Sequence, residues 1–81
     1  MIGILTKTAE KQHFKLPKKI QILCNKQIDF LIEDYRHPSL NSKKYDKETD
    51  LWQARIDKFY RFYFYIQKDK YVIVSIKKHP K

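Results

Sequence analysis

The sequence is poor in the residues that mark several common classes of protein. Cys24 is its single cysteine, so neither an internal disulfide nor a cysteine-based metal site can form. One glycine and three prolines leave no flexible linker, and no apolar run approaches the roughly 20 residues of a membrane-spanning helix. The first apolar stretch is interrupted at Lys7, too early for a signal peptide. We therefore expect one cytoplasmic domain over residues 1–81, without membrane association, and a buried structural thiol at Cys24.

Acidic residues are also scarce relative to basic ones. Eighteen lysines and arginines stand against nine acidic residues, which gives a formal net charge of +9. A charge of this size on an 81-residue chain attracts polyanions. Nucleic acid, an acidic protein and an anionic membrane surface are the three candidate partners, and the lack of a long apolar run makes the membrane the weakest of them.

The first half of the chain shows helical periodicity. Apolar residues recur every three or four positions, at Ile20, Leu23, Cys24, Ile28, Leu31, Ile32 and Tyr35. This spacing predicts a long amphipathic helix that Pro38 ends, because a proline pushes the preceding residue out of helical geometry. A shorter helix is predicted within residues 8–15, and an edge strand at residues 2–6.

The second half changes to alternation by two. After a polar loop at residues 37–50, apolar residues occupy even positions in three segments, residues 52–57, 60–67 and 72–77, with a turn at residues 68–70. This pattern predicts a three-stranded antiparallel meander. The expected fold class is α+β, with an N-terminal helix or helical hairpin packed on a small antiparallel sheet.

The even-numbered apolar residues must face the helices, which leaves the odd-numbered residues on the opposite face. We assume that paired residues share parity, which means that odd-numbered residues pair with odd-numbered ones and even with even. Arg55 then lies opposite Arg61 and Arg61 lies near Lys77, with His79 following on the same side. Like charges directly opposite each other destabilise a sheet. We interpret the two arginines as an anion site, because a guanidinium binds two phosphate oxygens at once.

Aromatic residues on this odd-numbered face extend the interpretation to RNA. Tyr63 is predicted to lie beside the arginines, where its ring can stack on an unpaired base. The alternative is that Arg55 pairs with Asp57 or Glu48 and only makes the face soluble. Leu51, Tyr71 and Ile73 are predicted to form an exposed apolar patch on this face that docks a protein.

Several segments, taken in order, resemble the RelE/ParE toxin superfamily and specifically its mRNA-cleaving, RelE-like branch. The resemblance runs from about Leu16 to the C-terminus. The matching segments are Leu-Pro-Lys-Lys-Ile-Gln at 16–21, His-Pro-Ser-Leu at 37–40, Lys-Lys at 43–44, Leu-Trp-Gln-Ala-Arg-Ile at 51–56, Tyr-Arg-Phe-Tyr-Phe at 60–64 and Lys-Lys-His at 77–79. The set is more specific than any single segment.

The resemblance implies a microbial-RNase fold, two helices on a twisted antiparallel sheet, and the toxin of a type II toxin–antitoxin pair. Such toxins cleave mRNA on the ribosome without a metal or other cofactor, and an acidic antitoxin holds them inactive. By the same resemblance Arg61 stabilises the phosphate, His79 serves in acid/base catalysis and Arg55 stabilises charge. Residues expected to contact RNA are Lys43, Lys44, Lys77, His37 and Tyr63.

The sequence also departs from the family pattern. Many relatives carry an aromatic residue after the C-terminal histidine, whereas Pro80 and Lys81 follow His79 here. Three alternatives therefore stay open beside the active endoribonuclease: a weak or inactive relative, a ParE-like toxin that binds gyrase, and a non-catalytic RNA- or ribosome-binding module.

Overall fold

A computed structural model describes residues 1–79, which form two α-helices and a five-stranded mixed sheet. The elements are β1 (Ile2–Leu5), α1 (Lys7–Lys15), α2 (Lys18–Glu33), a 3-10 turn (Pro38–Leu40), β2 (Lys43–Asp46), β3 (Leu51–Arg55), β4 (Tyr60–Gln67) and β5 (Lys70–Lys78). The spatial order is β1-β5-β4-β3-β2. The predicted α+β fold is confirmed, and within the described chain no helix is long and apolar enough to span a membrane.

The sheet is larger than the predicted three-stranded meander. β1 pairs with β5 in parallel, so the predicted edge strand joins the main sheet. β2 forms inside the region predicted to be a loop, and it pairs with β3 through Lys43 opposite Gln53. Its four residues carry only one aromatic ring and no strict alternation, which is why the pattern did not predict a strand.

Helix α2 ends earlier than Pro38 because Asp34 stops it. Asp34 has extended backbone angles, and its Oδ1 accepts a hydrogen bond from the backbone N–H of Arg36 at 2.9 Å. This local bond competes with helix continuation. Pro38 instead begins the 3-10 turn that leads to β2, so the prediction that the proline ends the helix is wrong.

The register of β3, β4 and β5 agrees only in part with the prediction that odd-numbered residues pair with odd-numbered ones. Arg55 pairs with Arg61, and Arg61 pairs with Lys77, as expected. The ladder then shifts between Tyr63 and Phe64, where β5 contains one more residue than β4. An extra residue exchanges the two faces of a strand. In the first part of β5 the residues that face the core are therefore odd-numbered, whereas after the bulge they are even-numbered.

The reversal moves part of the predicted docking patch into the core. Tyr71 and Ile73 are only 3% and 0% exposed, whereas Val72 and Val74 are half-buried. The prediction that Tyr71 and Ile73 form an exposed apolar patch with Leu51 is therefore wrong. One inserted residue in β5 accounts for it, because alternation alone does not reveal a bulge.

The core lies between the helices and one face of the sheet. Its largest fully buried side chains are Phe62, Phe64, Leu31, Leu40, Ile73 and Cys24. Burial raises the pKa of the Cys24 thiol to about 12. The predicted buried thiol is thus confirmed, and its environment disfavours the thiolate.

In the folded protein we expect Cys24 to react with a disulfide reagent at mildly alkaline pH at least about 100-fold more slowly than in the unfolded chain, because the thiolate is the reactive form. Colorimetric thiol titration with and without denaturant measures both rates. Equal rates in the two states would contradict the burial of this side chain.

Candidate functional site

A cleft of about 400 Å³ opens on the sheet face that points away from the helices. Strands β2, β3 and β4 supply its floor, and the segments just before β2 and just after β5 supply its ends. Its lining residues are Asn41, Ser42, Lys43, Gln53, Arg55, Arg61 and His79. The structure thus brings together four residues predicted for the site: Lys43, Arg55, Arg61 and His79.

Arg55 and Arg61 are direct neighbours across β3 and β4. Nη1 of Arg61 donates to the backbone carbonyl oxygens of Asp57 at 2.6 Å and Tyr60 at 3.0 Å, so the turn between the strands orients this guanidinium. The Asp57 carboxylate is engaged elsewhere, since its Oδ1 accepts two backbone N–H groups of its own turn at 2.8 Å. Within residues 1–79, neither arginine forms an ion pair with Asp57, Glu48 or any other carboxylate. Their charge is available to an anion.

His79 is held at the end of the cleft by its backbone. Strand β5 ends at Lys78, and the N–H of His79 then donates to the carbonyl oxygen of Phe59 at 2.6 Å. The backbone of His79 is therefore fixed beside the cleft that the two arginines line. Pro80 and Lys81, which stand where many members of the toxin family carry an aromatic residue, lie outside the described residues.

Tyr63 and Lys77 lie beside the cleft, in contact with each other. The Lys77 Nζ is 5.3 Å from the centroid of the Tyr63 ring. Tyr63 is only 3% exposed, and its burial, followed by the nearby phenol of Tyr45, raises the pKa of its own phenol. Tyr45 packs edge-on against Tyr63 with ring centroids 5.0 Å apart and is 57% exposed. Tyr45, which the sequence reasoning passed over as loop, is thus the ring that can stack on a base.

Lys44 lies on the opposite face of the sheet from Lys43. Its Nζ is 2.9 Å from Oδ1 of Asp50 and 5.1 Å from the centroid of the Trp52 ring, which packs towards the helices. Lys43 pairs with Gln53 on the cleft side. Of the two predicted loop lysines, the structure brings only Lys43 to the cleft.

His37 also lies outside the lining of the cleft. Its ring stacks on Phe30 of α2 at 3.9 Å between centroids, with 10° between the planes. Its Nδ1 accepts the backbone N–H of Ser39 at 3.2 Å and so caps the 3-10 turn. These contacts give His37 a structural role in shaping the segment that enters β2.

Three neutral polar residues line the cleft beside the cations and were not predicted. Asn41 has a left-handed backbone with φ 47°, and Gln53 is 5% exposed. The Ser42 Oγ is buried without a hydrogen-bond partner within residues 1–79. Gln53 has an odd number like Arg55, so alternation along the strand could have placed it on the same face. Nothing in the sequence distinguished Ser42.

The cleft combines two guanidinium groups, an ammonium group, an imidazole and neutral hydrogen-bonding groups. Guanidinium groups bind and stabilise a phosphate whose charge increases during reaction, and an imidazole transfers protons. Within residues 1–79, no group of three or more His, Cys, Asp or Glu side chains is arranged to hold a metal ion. The arrangement suits a phosphodiester.

The fold is similar to that of solved RelE-like and YoeB/ParE toxins, so the fold that the resemblance implied is confirmed. An archaeal RelE in the RelE–RelB complex from Pyrococcus horikoshii is similar with a TM-score of 0.77 and 20% identity, over 95% of this chain and 91% of that one. A YoeB/ParE toxin from Agrobacterium tumefaciens gives 0.70 and 13%, over 99% and 100%. A copper-bound mutant toxin from Helicobacter pylori gives 0.71 and 12%, over 98% and 94%. No family model matches the sequence, and no curated protein matches it either.

Proposed function

We propose that this protein is the toxin of a toxin–antitoxin system and that it cleaves mRNA on the ribosome in the cytoplasm without a metal ion. The observation that carries the proposal is the pairing of Arg55 with Arg61, both without a carboxylate partner in the described chain, in one cleft with His79. Structural likeness to three toxins supports the toxin part of this proposal.

The proposed reaction is an internal transfer at phosphorus. The ribose 2′-hydroxyl gives its proton to a water molecule and its oxygen attacks the adjacent phosphorus. The bond from phosphorus to the 5′-oxygen breaks, and that oxygen takes up a proton from His79. The products are a 2′,3′-cyclic phosphate and a free 5′-hydroxyl. The phosphoryl oxygens gain charge in the transition state, so cations that are fixed beforehand lower the barrier.

Each cleft residue has a defined role in this proposal. Arg61, whose guanidinium is oriented by two backbone carbonyls, stabilises the charge that develops on the phosphoryl oxygens. Arg55 binds the same phosphate from the neighbouring strand. His79 gives a proton to the departing 5′-oxygen. Lys43 and Lys77 attract the RNA backbone, and Tyr45 offers an exposed ring for stacking on a base.

An acidic antitoxin is the proposed protein partner. The net charge of +9 favours an acidic partner, and the structural neighbour from Pyrococcus horikoshii is a complex of RelE with RelB. We expect the acidic protein to be encoded next to this one. Co-expression that restores growth inhibited by the toxin alone tests this pairing.

The two adjacent lysines provide a matched test of the cleft. Lys43→Ala should weaken RNA binding about 3- to 10-fold at moderate salt and make it less dependent on salt, because one phosphate contact is lost. Lys44→Ala should change RNA binding by less than about twofold, since Lys44 is bound to Asp50 on the other face. Titration of a labelled RNA oligonucleotide at several salt concentrations measures both. Equal losses would indicate non-specific attraction rather than binding in the cleft.

The function itself is tested by inducing the protein in a bacterium and by adding the purified protein to translating ribosomes. We expect growth arrest, new mRNA 5′ ends within codons, and cyclic-phosphate termini. Growth arrest with intact transcripts and inhibited gyrase would instead support the ParE-like alternative. RNA binding that weakens with salt but produces no cleaved product would support the non-catalytic module.

A further inference from the structure

Gln27 occupies a core position of α2 although it is polar. The buried residues of α2 are Cys24, Gln27 and Leu31, which lie three and four residues apart on one face of the helix. Gln27 is only 5% exposed. A buried amide is costly unless its hydrogen-bonding groups find partners, so the choice of glutamine among apolar residues calls for specific bonds.

The Gln27 amide makes three such bonds. Its Nε2 donates to the backbone carbonyl oxygen of Arg55 at 2.7 Å and to that of Ser39 at 3.0 Å. Its Oε1 accepts the hydroxyl proton of Ser39 at 2.9 Å. Both N–H groups of the amide and its oxygen are therefore used.

The two segments bound by Gln27 carry the main groups of the cleft. Arg55 is the last residue of β3, and Ser39 lies in the 3-10 turn just before Asn41, Ser42 and Lys43. No other side chain within residues 1–79 donates a hydrogen bond to both segments. The amide thus joins β3 to the segment that enters β2, from the helix side of the sheet.

We propose that Gln27 is a positioning residue for Arg55 and for the segment from Ser39 to Lys43, and that it sets the geometry of the cleft without touching the substrate. Its effect on catalysis rests on the proposed function, but its effect on the position of Arg55 does not. Misplacing a catalytic group by about 1 Å can lower a rate about 100-fold. The sequence alone gave no sign of this role, because Gln27 lies within an otherwise ordinary helical segment.

Gln27→Leu replaces the amide with an apolar side chain of similar size and removes all three bonds. We expect it to lower kcat for mRNA cleavage about 10- to 100-fold at temperatures where the variant is fully folded, with a smaller change in KM. Ile73→Val is the control for core destabilisation, because Ile73 is buried opposite Phe64 on β4 and does not line the cleft. It should leave kcat within about twofold under the same conditions.

A double-mutant cycle with Arg55→Ala separates positioning from general destabilisation. If Gln27 acts through Arg55, Gln27→Leu should lower kcat much less in the Arg55→Ala background than in the parent, because coupled residues are not additive. Full additivity in folded protein would overturn the positioning of Arg55 by Gln27. Ser39→Ala, which removes one of the three bonds, should have an intermediate effect.

A measurement without substrate keeps this inference distinct from the proposed function. In the parent, NMR should show a protected Gln27 side-chain amide and an ordered Arg55 backbone, and Gln27→Leu should increase the motion of the Arg55 amide and of residues 39–43. Unchanged order in the variant would overturn positioning by Gln27, whether or not the parent cleaves mRNA. Absence of cleavage by the parent, with the NMR result as expected, would refute only the proposed function.

Discussion

Arg61→Ala should cleave ribosome-bound mRNA about 100- to 1,000-fold more slowly than the parent and should no longer arrest growth, because it removes a fixed cation from the phosphate in the transition state. The side chain is oriented before substrate binds, since its Nη1 is bound to the carbonyl oxygens of Asp57 and Tyr60. Little of the binding energy is then needed to arrange it. Single-turnover cleavage on programmed ribosomes measures the loss.

The chain offers a matched control for this loss of charge. Its three arginines are Arg36, Arg55 and Arg61, and Arg36 is exposed, outside the cleft and paired with Asp34 at 3.2 Å. Arg36→Ala removes the same unit of charge and should leave cleavage within about twofold, because an exposed ion pair contributes little. A comparable loss in both variants would show that overall charge, rather than the cleft, sets activity.

Arg61→Ala also removes the hydrogen bonds to the carbonyl oxygens of Asp57 and Tyr60, which could destabilise the turn. A second control is therefore needed. Arg61→Lys keeps a cation at the site but loses the planar fork that binds two oxygens. We expect its cleavage rate to lie between those of the parent and of Arg61→Ala, at unchanged thermal midpoint. Thermal unfolding of all three proteins shows whether a slower rate comes from the site or from partial unfolding.

The sequence predicted the parts of the fold that depend on regular periodicity. Helical spacing identified α2, and alternation identified β3, β4 and the pairing of Arg55 with Arg61. The bulge at Val74 and the end of α2 at Asp34 were missed. Both depend on a single residue or hydrogen bond, and neither interrupts the apolar spacing in the sequence from which the elements were predicted.

The site was predictable where its residues lie on regular strands. Arg55 and Arg61 followed from the alternation of apolar residues, whereas Lys44 and His37 were assigned from the resemblance to the toxin family. Strand β2 and the 3-10 turn orient these two towards Trp52 and Phe30 instead. Gln27 could not be found, because its partners, Ser39 and Arg55, are 12 and 28 residues away in sequence.

His79→Ala should lower the cleavage rate about 100- to 10,000-fold if its imidazole is the proton donor for the 5′-oxygen. Alanine keeps the backbone N–H that binds the carbonyl oxygen of Phe59, so the attachment of the chain end should survive. His13→Ala is the matched control, since the His13 ring is hydrogen-bonded to Asn25 at 2.8 Å, away from the cleft. It should cleave at the parental rate.

A substrate with sulfur in place of the bridging 5′-oxygen tests the assigned role of His79 directly. A thiolate leaves without a proton, so an enzyme that lacks its general acid should recover most of its rate on this linkage. We expect the ratio of parental to His79→Ala rates to fall to within about tenfold on the sulfur substrate. Arg61→Ala should show no such recovery, because its cation acts on the non-bridging oxygens. An undiminished defect of His79→Ala on the sulfur substrate would mean that His79 does not protonate the leaving group.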